Sequence, residues 1–188
     1  YGGFSGSEER LEERNWVENM TTLTSLRGNV VTFRDASAET VLDGFTIRDG
    51  GKGIHNTNGS PQISNCTITG SGENGIKNEN GSPRITNCII TNASDSGIYN
   101  KNGSPLITNC TITGNSARKG GGIYNEAYYD TASPILTNCT ISGNSSSGYG
   151  GGIYNTVNRS EEARIGTASP ILTNCLISGN TATYGGGM

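Results

Sequence analysis

The chain repeats one short segment almost without change. Its first three copies read NGSPQISNCTITG (58–70), NGSPRITNCIITN (80–92) and NGSPLITNCTITG (102–114). Two looser copies follow, TASPILTNCTISG (131–143) and TASPILTNCLISG (167–179). Self-similarity of this kind predicts a molecule built by stacking one small structural unit on itself, because a single unit is too small to bury its own apolar side chains.

The spacing of the copies gives the length of the unit. The first three cysteines lie at positions 66, 88 and 110, so one unit spans 22 residues. Extra residues enter between Asn125 and Ser133 and between Asn155 and Ser169, and a shorter insertion follows each later TGN or SGN. Length that varies at fixed points while the rest keeps its register is typical of loops at the corners of a solenoid.

Short runs rich in isoleucine and threonine alternate with turn residues inside each unit. In the third copy they predict strands at 97–100 (GIYN), 105–108 (PLIT) and 110–113 (CTIT), separated by NG, GS and TG turn pairs. Three strands per unit predict a triangular coil. Successive coils are expected to lie about 4.8 Å apart, the distance between paired strands.

The alternation of a strand predicts which side chains face the interior. Ile107, Cys110 and Ile112 face inward, and the three-residue step from Ile107 to Cys110 requires a bend at Asn109. Asparagine tolerates the left-handed backbone of such a bend. Equivalent asparagines are expected to form a ladder of amide hydrogen bonds: Asn65, Asn87, Asn109, Asn138 and Asn174. A second ladder is expected from Asn56, Asn78, Asn100, Asn125 and Asn155.

All five cysteines fall in one inward column: Cys66, Cys88, Cys110, Cys139 and Cys175. An odd count at a single repeat position does not indicate a disulfide framework, and the CxxC pairs of a zinc site are missing. We predict a stack of free, buried thiols that act as small apolar side chains. No metal ion or other cofactor is predicted.

The first 29 residues differ from the repeat. Their acidic run, SEERLEERN (7–15), predicts a short helix or compact turn. We expect Leu11, Trp16, Val17 and Met20 to cover the open end of the coil stack. The predicted organisation is a cap with first strands over 1–29 and a coil stack over 30–188. We expect the stack to continue, or to pair with another copy, beyond residue 188.

Two motifs resemble a known family. The GGGI and YN elements at 120–125 and 150–155, with the opening YGGFSGSEERLEERNW (1–16), are similar to those of bacterial proteins with polymorphic-outer-membrane-protein-like repeats. The resemblance implies an all-β fold: a right-handed parallel β-helix with three-strand coils of about 22 residues and a short N-terminal capping segment. It also implies a secreted or bacterial cell-surface protein that serves as an adhesin, a spacer or a filament-forming subunit.

No reactive centre stands out in the repeat. Parallel β-helix enzymes that cleave polysaccharides need clustered carboxylates with a base. Here the acidic residues fall at different positions of the repeat, and Glu79 with Lys101 comes closest to an acid–base pair. The single histidine, His55, is interpreted as a solvated surface residue. The sequence therefore predicts a non-catalytic structural module.

One outward column is a candidate binding face. Tyr99, Tyr124 and Tyr154 follow His55 and Lys77 at one repeat position. Stacked aromatic rings can hold sugars or a partner protein, whereas packing between neighbouring strands explains the same pattern without a ligand. Both interpretations stay open, and a carbohydrate-binding or carbohydrate-active β-helix is the alternative function.

Charge and hydropathy narrow the list of partners. Net charge is -3, from 13 basic and 16 acidic side chains mixed along the chain, so we predict no basic stripe for nucleic acid. No apolar run is long enough to insert into a membrane. The candidate partners are a glycan, a surface protein, or a second copy of this chain bound head to tail.

Overall fold

The computed structural model describes residues 1–128, 130–158 and 166–188. One 3-10 turn, Leu11–Glu13, precedes a series of short strands that pair in parallel with equivalent strands of the next coil. Paired residues of successive early coils are 22 positions apart in the sequence, as shown by the hydrogen bond from the Asn87 side-chain amide to Asn65. The predicted all-β coil stack is confirmed.

The strands form four sheets along the axis of the stack. Sheet A contains β1 (Thr21–Thr24), β4 (Phe45–Arg48), β7 (Thr67–Thr69), β10 (Ile89–Thr91), β13 (Thr111–Thr113), β17 (Thr140–Ser142) and β21 (Leu176–Ser178). Sheet B contains β2 (Val31–Arg34), β5 (Ile54–Thr57), β8 (Ile76–Glu79), β11 (Ile98–Lys101), β15 (Ile123–Ala127) and β19 (Ile153–Val157). Sheet C contains β3 (Val41–Asp43), β6 (Gln62–Ser64), β9 (Arg84–Thr86), β12 (Leu106–Thr108), β16 (Ile135–Thr137) and β20 (Ile171–Thr173). Sheet D contains β14 (Ser116–Lys119), β18 (Ser145–Tyr149) and β22 (Thr181–Tyr184).

Sheet D departs from the three-strand coil that the sequence predicts. The short insertions after TGN and SGN form its strands, so the later coils have four strands. β14 (SARK) and β18 (SSSGY) contain no β-branched residue and give little strand signal, whereas β22 (TATY) has two threonines and a tyrosine. Parallel pairing with the next coil supplies the strand conformation instead.

The core is a set of side-chain columns that run along the axis. Ile68, Ile90, Ile112 and Ile141 lie in register and are fully buried. Burying one such side chain contributes about 1.5–3 kcal/mol. Because each isoleucine packs on the same residue of the coils above and below, stability depends on neighbouring coils.

A ladder of asparagine amides follows the corner between sheets C and A. Asn138 donates to Asn109, Asn109 to Asn87 and Asn87 to Asn65, each over 3.2 Å. Asn65 continues the ladder to the Asp43 carboxylate over 3.0 Å. All these asparagines have left-handed backbones, as does Asn174 (φ 52°).

A second ladder lies inside the stack, on the inner face of sheet B. Asn56 donates to Asn78 over 2.7 Å, and Asn100 donates to Asn125 over 2.9 Å. Asn125 in turn donates to Asn155 over 2.8 Å. The ladder is interrupted between Asn78 and Asn100, because the Asn78 amide donates to the Gly81 carbonyl over 2.7 Å instead. The side-chain oxygens of Asn56 and Asn100 are buried without a partner, and the residue paired below Asn56 is Phe33, which offers no donor.

A third ladder, which is not predicted above, lies where sheet A leads into sheet D. Asn115 donates to Asn144 over 2.9 Å, and Asn144 donates to Asn180 over 3.0 Å. All three asparagines directly follow a TG or SG pair, which is the signal that marks them. Their amides also donate to carbonyls of the previous coil, such as Ile112, so they fix the start of each sheet D strand.

The predicted apolar cover from the N-terminal segment is wrong, because Trp16, Val17 and Met20 only border an open pocket beside Phe45 and Ile89. Val17 and Met20 are 73% and 69% exposed, and Leu11 and Trp16 are also exposed. A nearly buried ion pair between Arg14 and Asp43 attaches the segment instead. Gly2 extends the edge of sheet C by donating its N–H to the Asp43 carbonyl over 2.8 Å. Polar contacts prevail because the edge of β3 offers free backbone groups and a carboxylate.

Candidate functional site

A triplet of glycines joins sheet D to sheet B in the later coils. Gly120 and Gly150 have left-handed backbones, with φ of 59° and 60°. A Cβ on Gly120 would lie 2.7 Å from the Cβ of Tyr124, and one on Gly150 would lie 2.8 Å from that of Tyr154. The GGGIY motif therefore uses glycine both to turn the chain and to leave room for its own tyrosine.

The tyrosines of this motif form one wall of a groove. Tyr99, Tyr124 and Tyr154 occupy the same outward position of sheet B, after His55 and Lys77. Their rings are tilted against one another, with centroids 5.0 Å and 5.5 Å apart. The predicted candidate face is thus one continuous row of rings.

The opposite wall, in sheet D, was missed by the sequence reasoning. Lys119, Tyr149 and Tyr184 share one register position there. The rings of Tyr149 and Tyr184 stack at 5.1 Å, and Tyr149 stacks across the glycine corner on Tyr154 at 5.6 Å. Each of these residues directly precedes a glycine triplet, so KGGG and YGGG are the sequence signal that marks this wall.

A cavity of about 530 Å³ lies along the two walls. Tyr99 and Tyr124 line it from sheet B, and Arg118 and Lys119 line it from sheet D. The charged residues Lys52, Glu73, Lys77, Asp95 and Glu126 complete the lining with Asn74. This cavity is the ionic end of the groove, toward the first coils, and the stacked rings of Tyr149, Tyr154 and Tyr184 continue the two walls beyond it.

Glu126 fixes the position of two tyrosines. This carboxylate is only 8% exposed and accepts hydrogen bonds from the hydroxyls of Tyr99 and Tyr124 (2.9 Å for Tyr124). The Asn158 amide donates to it over 2.6 Å. Burial, and then the hydrogen bond to the Glu126 carboxylate, raise the pKa of both Tyr99 and Tyr124 well above the ordinary value. The ring orientations are therefore set by a buried anion.

Two carboxylates share one position at the ionic end of the groove. Glu73 and Asp95 are 22 residues apart (95 − 73) and stand two positions before equivalent glycines, and both line the cavity. The expectation that acidic residues fall at unrelated positions is wrong for this pair, because both belong to the corner before sheet B. Glu73 pairs with Lys52, and Asp95 accepts the backbone N–H of Ser96 over 2.8 Å.

Glu79 and Lys101, the nearest approach to an acid–base pair in the sequence, are register partners in sheet B but do not form an ion pair. Glu79 instead contacts His55 Nε2 at 2.8 Å and Lys77 Nζ at 3.2 Å, whereas Lys101 lies over the Tyr128 ring. Burial alone would raise the pKa of Glu79, but the hydrogen bonds from His55 and Lys77 outweigh burial and lower it. His55 is thus held in a polar cluster and is not a solvated residue.

The cysteine column lies apart from the groove. Cys66, Cys88, Cys110 and Cys139 are buried, Cys175 is partly buried, and all five are free thiols. Hydrogen bonds to the thiols of Cys110 and Cys66, together with burial, raise the pKa of Cys88 well above its ordinary value. The same contacts between thiols lower the pKa of Cys66 and Cys110, so the packing role rests on the burial of the column and not on the pKa of its thiols.

Parallel coils with a groove on their outer surface define the chain as a parallel β-helix protein. Residues 29–188 match the family model described as a right handed beta helix region, and the chain belongs to this family. The right-handed fold predicted above is therefore confirmed. A comparison with curated protein sequences gives no match. Within the described residues, no helix has the length and apolar character needed to cross a membrane.

Proposed function

We propose that this protein is a non-catalytic β-helix module, secreted or carried on a bacterial cell surface, whose groove between sheets B and D binds carbohydrate. The single observation that carries the proposal is the pair of aromatic walls on either side of the glycine corner. Tyr149 and Tyr154 meet across that corner at 5.6 Å. Rings held in a fixed row offer apolar area at little cost in side-chain entropy.

The charged groups of the groove support binding more than catalysis. Glu126 accepts three hydrogen bonds, and Glu73 is engaged by Lys52. A general acid or base must reach a proton on the substrate, and the buried Glu126, which already accepts three hydrogen bonds, serves instead to hold other side chains. The repeat motifs GGGI and YN favour kinship with bacterial polymorphic-outer-membrane-protein-like proteins, and hence a role as an adhesin or spacer.

A glycan array tests the proposal first, followed by calorimetric titration of each glycan that binds. Replacing Tyr124 by Ala removes a ring from the middle of the row and should weaken binding at least about tenfold, which corresponds to about 1.4 kcal/mol. Phe4→Ala is the matched control, since Phe4 is an exposed aromatic residue of the N-terminal segment. Absence of binding to every glycan, or equal binding by the Tyr124 variant, would refute the proposal.

We also propose that the module associates with itself, head to tail. Leu172, Cys175 and Ile177, the inward residues of the last described coil, are only partly buried. Leu23 and Phe33 of the first coil are partly buried too. A coil supplied by another copy would cover these side chains and pair the open strand edges. Sedimentation over a range of concentrations should show growing assemblies, and a monomer at all concentrations would exclude this role.

A further inference from the structure

Two of the four cations that line the groove form no ion pair in the described part of the chain, although Glu73, Asp95, Glu126 and, beside Lys77, Glu79 balance the formal charge. Its carboxylates all have partners within the chain: Lys52 for Glu73, the Ser96 N–H for Asp95, and three donors for Glu126. Lys77 is paired with Glu79. Within residues 1–128, 130–158 and 166–188, no carboxylate pairs with Arg118 or Lys119.

Arg118 and Lys119 are held on a rigid segment. They end strand β14, where the register with β18 shifts because β18 contains one extra residue, a β-bulge. The buried Ser146 hydroxyl donates to the Arg118 carbonyl over 2.9 Å, and a Cβ on Gly148 would lie 2.7 Å from that carbonyl oxygen. Bulges often redirect side chains at binding sites. Both cations line the cavity that Tyr99 and Tyr124 also line.

We propose that the groove binds an anionic glycan, with a sugar ring against the tyrosine row and a carboxylate or sulfate ester held by Arg118 and Lys119. This inference rests on the proposed function. A guanidinium offers paired donors that match a carboxylate or a sulfate. Lys119 lies 5.7 Å from the centre of the Tyr154 ring, so charge and aromatic surface are adjacent. The net charge of the whole protein is -3. An anion would therefore be attracted only by the charges next to it, those of Arg118 and Lys119.

Two matched pairs of polymers distinguish the contribution of the anionic group to binding from that of the sugar ring. The first pair is dextran sulfate and dextran, and the second is polygalacturonate and fully methyl-esterified polygalacturonate. Affinity electrophoresis or calorimetry of the whole chain should show binding to at least one anionic polymer about tenfold or more tighter than to its neutral counterpart. Binding to the sulfated polymer alone assigns a sulfate ester, and binding to polygalacturonate alone assigns a carboxylate.

Charge-removing variants locate the anion. Arg118→Gln with Lys119→Gln should abolish the preference for the anionic polymer. A control with Arg27→Gln and Arg84→Gln removes the same charge from exposed positions outside the groove and should keep the preference. Equal binding of charged and neutral polymers, with Tyr124 still required, would overturn the anionic assignment and leave the proposed function intact. Equal loss in both double variants, or failure of every polymer to bind, would overturn the anionic assignment as well, whereas the proposed function is refuted only by the glycan array.

Discussion

Single residues in this fold have sharply defined environments because equivalent positions stack on one another. Ile112 lies between Ile90 and Ile141 of the adjacent coils and is fully buried, whereas the neighbouring Thr111 points outward and is part-exposed. Alternation along a three-residue strand is sufficient to predict this difference. The same reasoning predicts the cysteine column and the Asn109 bend from sequence.

Ile112→Asp should destabilise the central coils. An unpaired carboxylate in this column loses its hydration without gaining a partner, which costs about 3–5 kcal/mol. Urea unfolding monitored by circular dichroism measures the change. Thr111→Asp, one residue away on the outer face, should change the free energy of unfolding by about 1 kcal/mol or less. Equal effects of the two substitutions would contradict the assignment of inner and outer faces.

The raised pKa values of Tyr99 and Tyr124 predict a loss of stability in alkali. Below about pH 10, the ordinary pKa of tyrosine, both the folded and the unfolded chain hold these protons. As pH rises above that value, the unfolded phenols release protons that the folded phenols keep, because burial and Glu126 hold the folded pKa high. The free energy of unfolding should therefore fall with increasing pH.

Glu126→Gln tests the cause of this dependence. Removing the charge should bring the pKa of both phenols closer to the ordinary value, so they ionise at lower pH in an ultraviolet absorbance titration. The decline in the free energy of unfolding above about pH 10 should also become shallower. If the tyrosines ionise at the same pH in the unchanged protein and in the Glu126→Gln variant, the Glu126 carboxylate does not raise their pKa.

At the scale of strands and corners, the sequence predicts elements better than the angles between them. Sheets A, B and C follow from β-branched runs, but the strands of sheet D contain few such residues and are set by pairing between coils. The groove depends on how Gly120–Gly122 and its equivalents turn the chain. Period and alternation carry no information on that angle, so the stacking of Tyr149 on Tyr154 does not follow from the sequence.

Gly150→Ala should distort the groove more than the fold. The new methyl group would overlap the Ile153 carbonyl oxygen and approach the Tyr154 Cβ. Gly143→Ala is a matched control, because its φ of 61° is nearly the same but the nearest atom to a new Cβ is 3.6 Å away. The control should lose only about 1–2 kcal/mol from its left-handed backbone. The Gly150 variant should lose more and should also change the near-ultraviolet circular dichroism of its tyrosines.

At the scale of the molecule, each coil contacts chiefly the coils on either side. Backbone bonds such as Thr111 N–H to the Cys88 carbonyl, 2.9 Å, link one coil to the next. The stability of such an array is close to a sum of coil and interface contributions. Whole coils should therefore be interchangeable units, provided that the register of the columns is kept.

Deleting residues 81–102 tests this modularity. The deletion joins Asn80 to Gly103 and so restores the NGSP turn while removing one 22-residue coil (102 − 81 + 1). The shortened chain should fold, with a strand-rich circular dichroism spectrum and a single cooperative unfolding transition. Deleting only residues 81–91 removes half a coil and should prevent folding, because it shifts inward side chains out of their columns. Similar stability of the two variants would refute a register-dependent core.

The direction of the hydrogen bonds between coils sets how this protein responds to mechanical load. Because those bonds and the asparagine ladders lie parallel to the long axis, tension applied end to end loads a few bonds at a time at the outermost coil. The chain then peels away in steps of one coil, and the remaining rod stays intact. A force applied across the rod is instead opposed by many bonds at once, so the molecule is weak along its length and stiff across it.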